Sequence, residues 1–224
     1  MKNLFPNRLL AIALLLLVMM SCTSTSKKGK KTSRVEVLPY FSEATFTPQW
    51  IEVEKVPNDF HIIPEFQLIN QKGKIISEKD LNDKVTVVDF FFTTCPGICP
   101  KMTSNMLLVQ DAFLEDDDIL ILSHSVTPEY DSAQVLNNYA SAKGIISDNW
   151  HLLTGERSVI YDLGRNQYFV EENLGLEKDA DDFIHTENFV LVDQKRRIRG
   201  IYNGLNKSSV NQLIADIKTL KKKG

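Results

Sequence analysis

The chain has 224 residues, of which 43% are hydrophobic and 25% are charged, and its formal net charge is −3 at pH 7. This length and composition are typical of one globular domain with a tail. The slightly acidic balance provides no basic surface for phosphate groups, so we expect no nucleic-acid partner.

The N-terminus has the pattern of an export signal. Lys2 and Arg8 precede an apolar run of twelve residues, Leu9 to Met20, and Ser21-Cys22 follows directly. A membrane-spanning helix needs about 20 apolar residues, so a cleaved signal over residues 1–21 fits better than an uncleaved anchor. A small residue before a cysteine resembles the lipobox of bacterial lipoproteins, in which Cys22 would carry the lipid. We therefore expect an exported, lipid-anchored protein on the periplasmic side of a bacterial membrane.

Two segments connect this signal to the rest of the chain. Residues 22–34 contain four lysines and no apolar side chain between Thr23 and Ser33, which predicts a flexible tether. Residues 35–58 mix aromatic residues with prolines, which predicts an extended arm laid on the domain. Residues 59–222 are predicted to form the domain itself.

The domain begins with a hairpin and continues as a strand and a helix. Two extended runs flank the turn-type cluster Gln71-Lys72-Gly73. The run Lys84–Thr94 has the β-branched and aromatic composition of a strand that is buried on both faces of a sheet. Apolar residues then recur at helical spacing over Lys101–Leu114. The two cysteines of the domain lie between this strand and this helix.

The next segments repeat the alternation of strand and helix. Ile119–Ser123 predicts a second buried strand, and the following helix is predicted to be capped by Asp131 and ended by Gly144. A further helix is predicted over Arg157–Tyr168, with an interruption at Gly164.

The chain ends with a hairpin and an amphipathic helix. Residues 189–192 and 197–202 are extended runs that flank a turn cluster, which predicts the hairpin. Apolar residues between Val210 and Leu220 mark one face of the closing helix. Parallel strands surrounded by helices and completed by an antiparallel hairpin indicate an α/β sandwich.

Cys95 and Cys99 are the candidate reactive residues. They lie in the string TTCPGICP at a junction of strand and helix, where backbone N–H groups and the helix dipole stabilise thiolates. An oxidising compartment would also permit a disulfide between them, since Cys22 is assigned to the lipid. Two thiolates suit copper(I) or zinc, but a structural zinc site usually has four protein ligands and would need two histidines. Their spacing alone does not choose between a metal and a disulfide.

Four segments carry a resemblance to a known family. FFFTTCPGICPKM, VTPEYDSAQVLNNYA, WHLLTG and IHTENFVLVDQKRRIRGIYNG resemble, in that order, the Sco/SenC family of copper proteins over roughly His61 to Lys221. The resemblance implies a thioredoxin-like α/β/α sandwich in which Cys95, Cys99 and the downstream His185 bind copper. It also implies a role in assembling the dinuclear copper centre of cytochrome c oxidase, whose copper-bearing subunit would be the partner.

Two positions depart from the pattern of that family. Ile184 stands where the family commonly has an aspartate directly before the histidine, and Thr127 stands where it usually has an aspartate before the proline. The alternative function is a thiol–disulfide oxidoreductase in which Cys95 attacks and Cys99 resolves the mixed disulfide. Three residues between the cysteines, and no proline after Pro128, argue against an ordinary thioredoxin.

Other possible ligands are predicted to have supporting roles. His124 follows the second buried strand and would reach the same edge of the sheet as the cysteines, but a structural role is favoured for it. Met102 and Met106 share their helical spacing with other apolar residues, which predicts core packing rather than metal binding. Asp181 or Asp182 could accept a hydrogen bond from His185 and orient it.

Overall fold

The computed structural model describes residues 33–171, 184 and 186–222. The expected export signal, Cys22 and most of the tether lie outside the described residues, as do His185 and the acidic pair Asp181-Asp182. Within the described part of the chain, no helix combines the length and the apolar character needed to span a membrane.

Seven strands among the described residues form one mixed sheet. They are β1 (Gln67–Asn70), β2 (Ile75–Ser77), β3 (Val85–Phe91), β4 (Ile119–Ser125), β5 (Trp150–Thr154), β6 (Asn188–Val192) and β7 (Ile198–Asn203). Their order across the sheet is β2-β1-β5-β4-β3-β6-β7. The central strands β3, β4 and β5 run parallel, and the hairpins β1–β2 and β6–β7 add to them in antiparallel fashion. Every residue of β3 and β4 is buried, as their composition predicts.

Helices cover both faces of this sheet. They are α1 (Cys99–Ala112), α2 (Ala133–Lys143), α3 (Arg157–Asp162) and α4 (Lys207–Lys221). Most of the buried apolar residues of α1, α2 and α4 share one cluster with alternate residues of the strands. Helix α3 and the π-helical turn Leu163–Gln167 contribute to a second cluster on the opposite face. The predicted α/β/α sandwich with an early and a late hairpin is confirmed.

The starts of two helices differ from the prediction. Helix α1 begins at Cys99 rather than Lys101, because a proline such as Pro100 fits the first helical turn, where its missing N–H is not needed. The predicted cap of α2 was wrong. Ser132 is the N-cap, and its side chain accepts a hydrogen bond from the backbone N–H of Val135 at 3.4 Å. The carboxylate of Asp131 instead accepts hydrogen bonds from Thr93 and Ser125.

Strand β5 was not predicted from the sequence. It is short, and its five residues WHLLT include a histidine and a threonine, so its hydrophobic pattern is weak. It is nevertheless an interior strand, parallel to β4 and antiparallel to β1. The long-range pairing with these two neighbours defines it as a strand.

Residues 38–41, which precede β1, are attached to the edge strand β7. The backbone N–H of Phe41 donates to the carbonyl of Ile198 at 3.1 Å. The guanidinium of Arg199 donates to the carbonyls of Leu38 at 2.6 Å and Pro39 at 3.0 Å. It also lies over the buried ring of Tyr40, 3.8 Å from the ring centroid. Residues 38–41 are therefore held by a largely buried cation.

Candidate metal centre

The two cysteines of the domain meet where β3 turns into α1. Cys99 is the first residue of α1 and is buried, whereas Cys95 precedes it in the connecting loop and is partly exposed. Both are free thiols, and their side chains lie close enough for each to shift the pKa of the other. The structure therefore brings the two predicted sulfur ligands together at the start of a helix.

The two thiols differ in acidity. Burial acts to raise the pKa of Cys95, but hydrogen bonds from the Cys99 thiol and from the backbone N–H groups of Cys99, Gly97 and Ile98 together lower this pKa below its ordinary value. Burial raises the pKa of Cys99 to about 12, and the hydrogen bond with Cys95 adds to this rise. Cys95 is thus both the thiol that ionises first and the one that solvent reaches.

A buried carboxylate fixes the start of the cysteine loop. Asp131, between β4 and α2, is only 1% exposed. It accepts hydrogen bonds from the backbone N–H of Thr93 at 3.1 Å and from the hydroxyl of Thr93 at 2.5 Å. The hydroxyls of Ser125 at 2.6 Å and Thr127 at 3.1 Å also donate to it. Asp131 therefore ties the loop that carries Cys95 to the end of the neighbouring strand.

A second buried acid lies on the face of the sheet that α1 covers. Asp89, on β3, accepts a hydrogen bond from the hydroxyl of Ser123 on β4, and the indole N–H of Trp150 donates to that hydroxyl oxygen at 2.9 Å. Burial raises the pKa of Asp89 to about 7, although the hydrogen bond from Ser123 acts in the opposite direction. The charge of Asp89 is one of the causes that raise the pKa of Cys99.

Neither Asp89 nor the role of Asp131 was predicted from the sequence. The sequence feature that could have revealed Asp89 is an acidic residue inside the otherwise apolar run KVTVVDFFF. Such a residue in a strand buried on both faces must find a buried partner or become neutral. The signal for Asp131 was its position after β4, since neighbouring parallel strands end at the same edge of a sheet.

The other candidate ligands lie in the core. His124 is fully buried, and its ring stacks on Phe90 with 4.8 Å between the ring centroids, on the face opposite to Cys99. Burial lowers the pKa of His124 to about 3. Met102 and Met106 are fully buried in the cluster that contains Cys99. These positions agree with the packing roles predicted for the three side chains.

The described residues supply two sulfur ligands and no complete cluster. No group of three or more histidine, cysteine, aspartate or glutamate side chains suited to a metal ion occurs among them, and His185 is not one of them. Ile184, where the family commonly has an aspartate, is 3% exposed and belongs to the apolar cluster that includes Phe90. Two soft, neighbouring sulfur donors fit copper(I) well.

The sequence model of the SCO1/SenC family matches residues 54–222, which is well over half of the chain. The chain belongs to the SCO1/SenC family. This SCO1/SenC chain is 32% identical over 167 residues to the SCO1 protein homolog of Bacillus subtilis strain 168, a match that covers 74% of this chain and 85% of the relative. The family resemblance carried by the four sequence segments is confirmed.

Solved structures of the same family share the fold. A SCO1/SenC family lipoprotein from Bacillus anthracis superposes with a TM-score of 0.60 at 31% identity, over 75% of this SCO1/SenC chain and 98% of the other. BsSco, described as a member of the Sco family of cytochrome c oxidase assembly proteins with a disulfide switch, superposes with a TM-score of 0.61 at 32% identity. The match covers 72% of this chain and 94% of BsSco. ScoI of Bradyrhizobium japonicum with copper bound superposes with a TM-score of 0.56 at 28% identity. The match covers 71% of this chain and 99% of ScoI. The expected thioredoxin-like fold is confirmed.

Proposed function

We propose that this SCO1/SenC chain is an exported, lipid-anchored copper carrier that delivers copper to the dinuclear site of cytochrome c oxidase, or prepares that site. The observation that carries the proposal is the pair of neighbouring free thiols, Cys95 in the loop before α1 and Cys99 at its first position. Related proteins support it, since ScoI of Bradyrhizobium japonicum has been solved with copper bound and BsSco belongs to a family of cytochrome c oxidase assembly proteins.

The acidities of the thiols suggest how copper would be taken up. Cys95 is partly exposed and has a lowered pKa, so it would meet the ion first as a thiolate. Cys99 is buried with a pKa raised to about 12, so it would lose its proton only as the metal binds. His185 would complete a set of two thiolates and one imidazole, which copper accepts in either oxidation state. An incomplete coordination shell would then let a partner take the metal.

A copper titration of the full chain, purified in detergent and reduced, tests the proposal. We expect about one copper per chain with thiolate-to-copper absorption, because two thiolates form a soft site. Cys95→Ser and Cys99→Ser should abolish this signal, and His185→Ala should weaken it severely. His151→Gln is the matched histidine control, since its ring lies 3.2 Å from the Asn70 amide and not at the cysteines. If the reduced parent chain binds no copper in this titration, the carrier function is refuted. If His185→Ala binds copper with the parental stoichiometry and absorption, His185 is not a ligand.

Thiol–disulfide exchange is the second candidate function, and the difference in acidity between the two thiols favours it. An accessible cysteine with a lowered pKa beside a buried one with a raised pKa is the arrangement of an attacking and a resolving thiol. We expect Cys95→Ser to abolish exchange with a disulfide-bonded peptide, whereas His185→Ala leaves it intact. A chain that binds copper but shows no exchange would leave only the first function.

We further propose the division of the chain on which the anchoring depends. Residues 1–21 would be the export signal, 22–34 a tether that begins at lipid-bearing Cys22, 35–58 an arm, and 59–222 the copper-binding domain. The similarity to a SCO1/SenC family lipoprotein from Bacillus anthracis supports the lipid anchor.

A further inference from the structure

Asp131 is a buried carboxylate that accepts hydrogen bonds from three different residues. Its two oxygens receive four hydrogen bonds, of which two come from the backbone and hydroxyl of Thr93 and two from the hydroxyls of Ser125 and Thr127. A carboxylate that is 1% exposed has lost most of its hydration, and hydrogen bonds to the charged form replace it. These four contacts therefore have defined geometry and resist displacement.

The donors belong to two different parts of the chain. Thr93 lies in the loop between β3 and α1, two positions before Cys95, and the backbone N–H of Cys95 donates to the carbonyl of Phe92 at 3.3 Å. Ser125 ends β4, and Thr127 follows it. The carboxylate thus joins the turn that presents Cys95 to the end of the adjacent strand.

We propose that Asp131 is a positioning residue for the cysteine pair. By holding Thr93 through both its backbone and its side chain, it sets where the loop places the Cys95 sulfur relative to Cys99, whose position is fixed by α1. Loosening this contact should lower copper affinity and make a Cys95–Cys99 disulfide easier to reduce. The effect on copper affinity rests on the proposed function, whereas the effect on the equilibrium between dithiol and disulfide does not. Both follow from the same physical cause, since two reacting sulfur atoms that are held less firmly have a lower effective concentration toward each other.

Two substitutions test this role from opposite ends of the contact. Asp131→Asn keeps the shape of the side chain but replaces one acceptor oxygen by an N–H₂ group, which cannot accept the donors that now converge on it. Thr93→Val keeps the branched shape and removes the hydroxyl donor, leaving the backbone donor in place. This second variant perturbs the fold less and decides the question if Asp131→Asn does not fold.

Asp193→Asn is the matched control. Asp193 is also a buried carboxylate, 4% exposed, in the turn between β6 and β7. It accepts hydrogen bonds from the backbone N–H groups of Lys195 at 2.9 Å and Arg197 at 3.0 Å and from the guanidinium of Arg199 at 3.1 Å. Its substitution should cost stability without any effect on the cysteines.

The first measurement uses the metal-free full chain, equilibrated in redox buffers of thiol and disulfide. We expect the Cys95–Cys99 disulfide to be reduced more readily in Asp131→Asn and Thr93→Val, by about fivefold or more in the equilibrium constant, which corresponds to the loss of about one hydrogen bond. The second measurement is competition for copper(I) with a chromophoric chelator. We expect copper affinity to fall between about tenfold and 100-fold, the range for residues that orient metal ligands.

The outcomes separate the two proposals. If the parent chain binds no copper, the carrier function fails, and the redox equilibrium alone still tests the role of Asp131. If the variants lose stability as Asp193→Asn does, but keep the parental redox equilibrium and copper affinity, Asp131 has only a structural role and the inference is overturned.

Discussion

The hydroxyl of Ser123 on β4 donates a 2.5 Å hydrogen bond to the buried carboxyl of Asp89 on β3. The two residues are paired in the parallel register of these strands, so the contact is built into the sheet. Because the carboxyl is 3% exposed, its charge is costly to bury, and this burial is the main cause of its raised pKa.

Asp89→Asn should change how stability depends on pH. The pKa of Asp89 rises from 3.8, its ordinary value in an unfolded chain, to about 7 in the folded protein. The folded protein therefore holds this proton more tightly, and its contribution to stability is complete below pH 4 and lost as pH rises through 7. The loss is on the order of 4 kcal/mol. Urea unfolding at pH 4.5 and pH 8 measures most of this loss, and Asp89→Asn should not show it. Exposed Asp111→Asn should keep the parental profile, and a parental profile in Asp89→Asn would contradict the prediction.

His124→Phe should act in the opposite pH range. Burial lowers the pKa of His124 from 6.5 to about 3, so its contribution to stability is present above pH 6.5 and lost as pH falls toward 3. Phenylalanine can retain the stacking on Phe90 without taking up a proton. We expect the variant to resist acid unfolding better than the parent, by up to about 5 kcal/mol at pH 3. Parallel curves of unfolding free energy against pH for the two proteins would contradict this.

Cys95 should be alkylated faster than Cys99. The lowered pKa of Cys95 and its partial exposure favour the reactive thiolate, whereas Cys99 is buried with its pKa raised to about 12. We expect at least about a tenfold difference in rate with iodoacetamide at pH 7.5, read by mass spectrometry of the two cysteine peptides. In Cys95→Ser, Cys99 should remain slow. Equal rates in the parent chain would show that the two thiols do not differ in this way.

Arg199→Met should release the arm. The substitution removes the donors to the carbonyls of Leu38 and Pro39 and the cation over Tyr40, and it leaves Asp193 without one of its partners. Breaking such a buried pair costs about 3 kcal/mol. Limited proteolysis should then cut within residues 35–58 more rapidly than in the parent. Lys74→Met, on the exposed turn between β1 and β2, is the control. A parental cleavage rate in Arg199→Met would mean that other contacts hold the arm.

Cys22→Ala should release the protein from the membrane. If Cys22 carries the lipid, the parent chain expressed in a bacterial host will fractionate with membranes, and its N-terminal peptide will show the mass of an acylated cysteine. Cys95→Ser serves as the control and should remain in the membrane fraction. An alanine variant that stays in that fraction with residues 1–21 still attached would instead support the uncleaved anchor.

The contrast between Met102 and Asp131 shows what kind of information the sequence contains. Met102 belongs to a pattern repeated along one helix, and such a pattern predicts burial without any knowledge of the neighbouring elements. Asp131 sits just before a helix, where an aspartate is an ordinary cap, so local reasoning assigned it to the wrong contact. Its actual partner Thr93 is 38 positions away in sequence.

The amino-acid sequence by itself determined the α/β class, both hairpins, the buried strands β3 and β4, and the place of Cys95 and Cys99 between a strand and a helix. Each of these follows from periodicity or composition over a few neighbouring residues. Only the tertiary structure decided that Trp150–Thr154 is an interior strand, that Asp89 is a buried acid joined to Ser123, and that Asp131 holds the cysteine loop. These features depend on hydrogen bonds and burial between segments far apart in the chain, which no local pattern encodes.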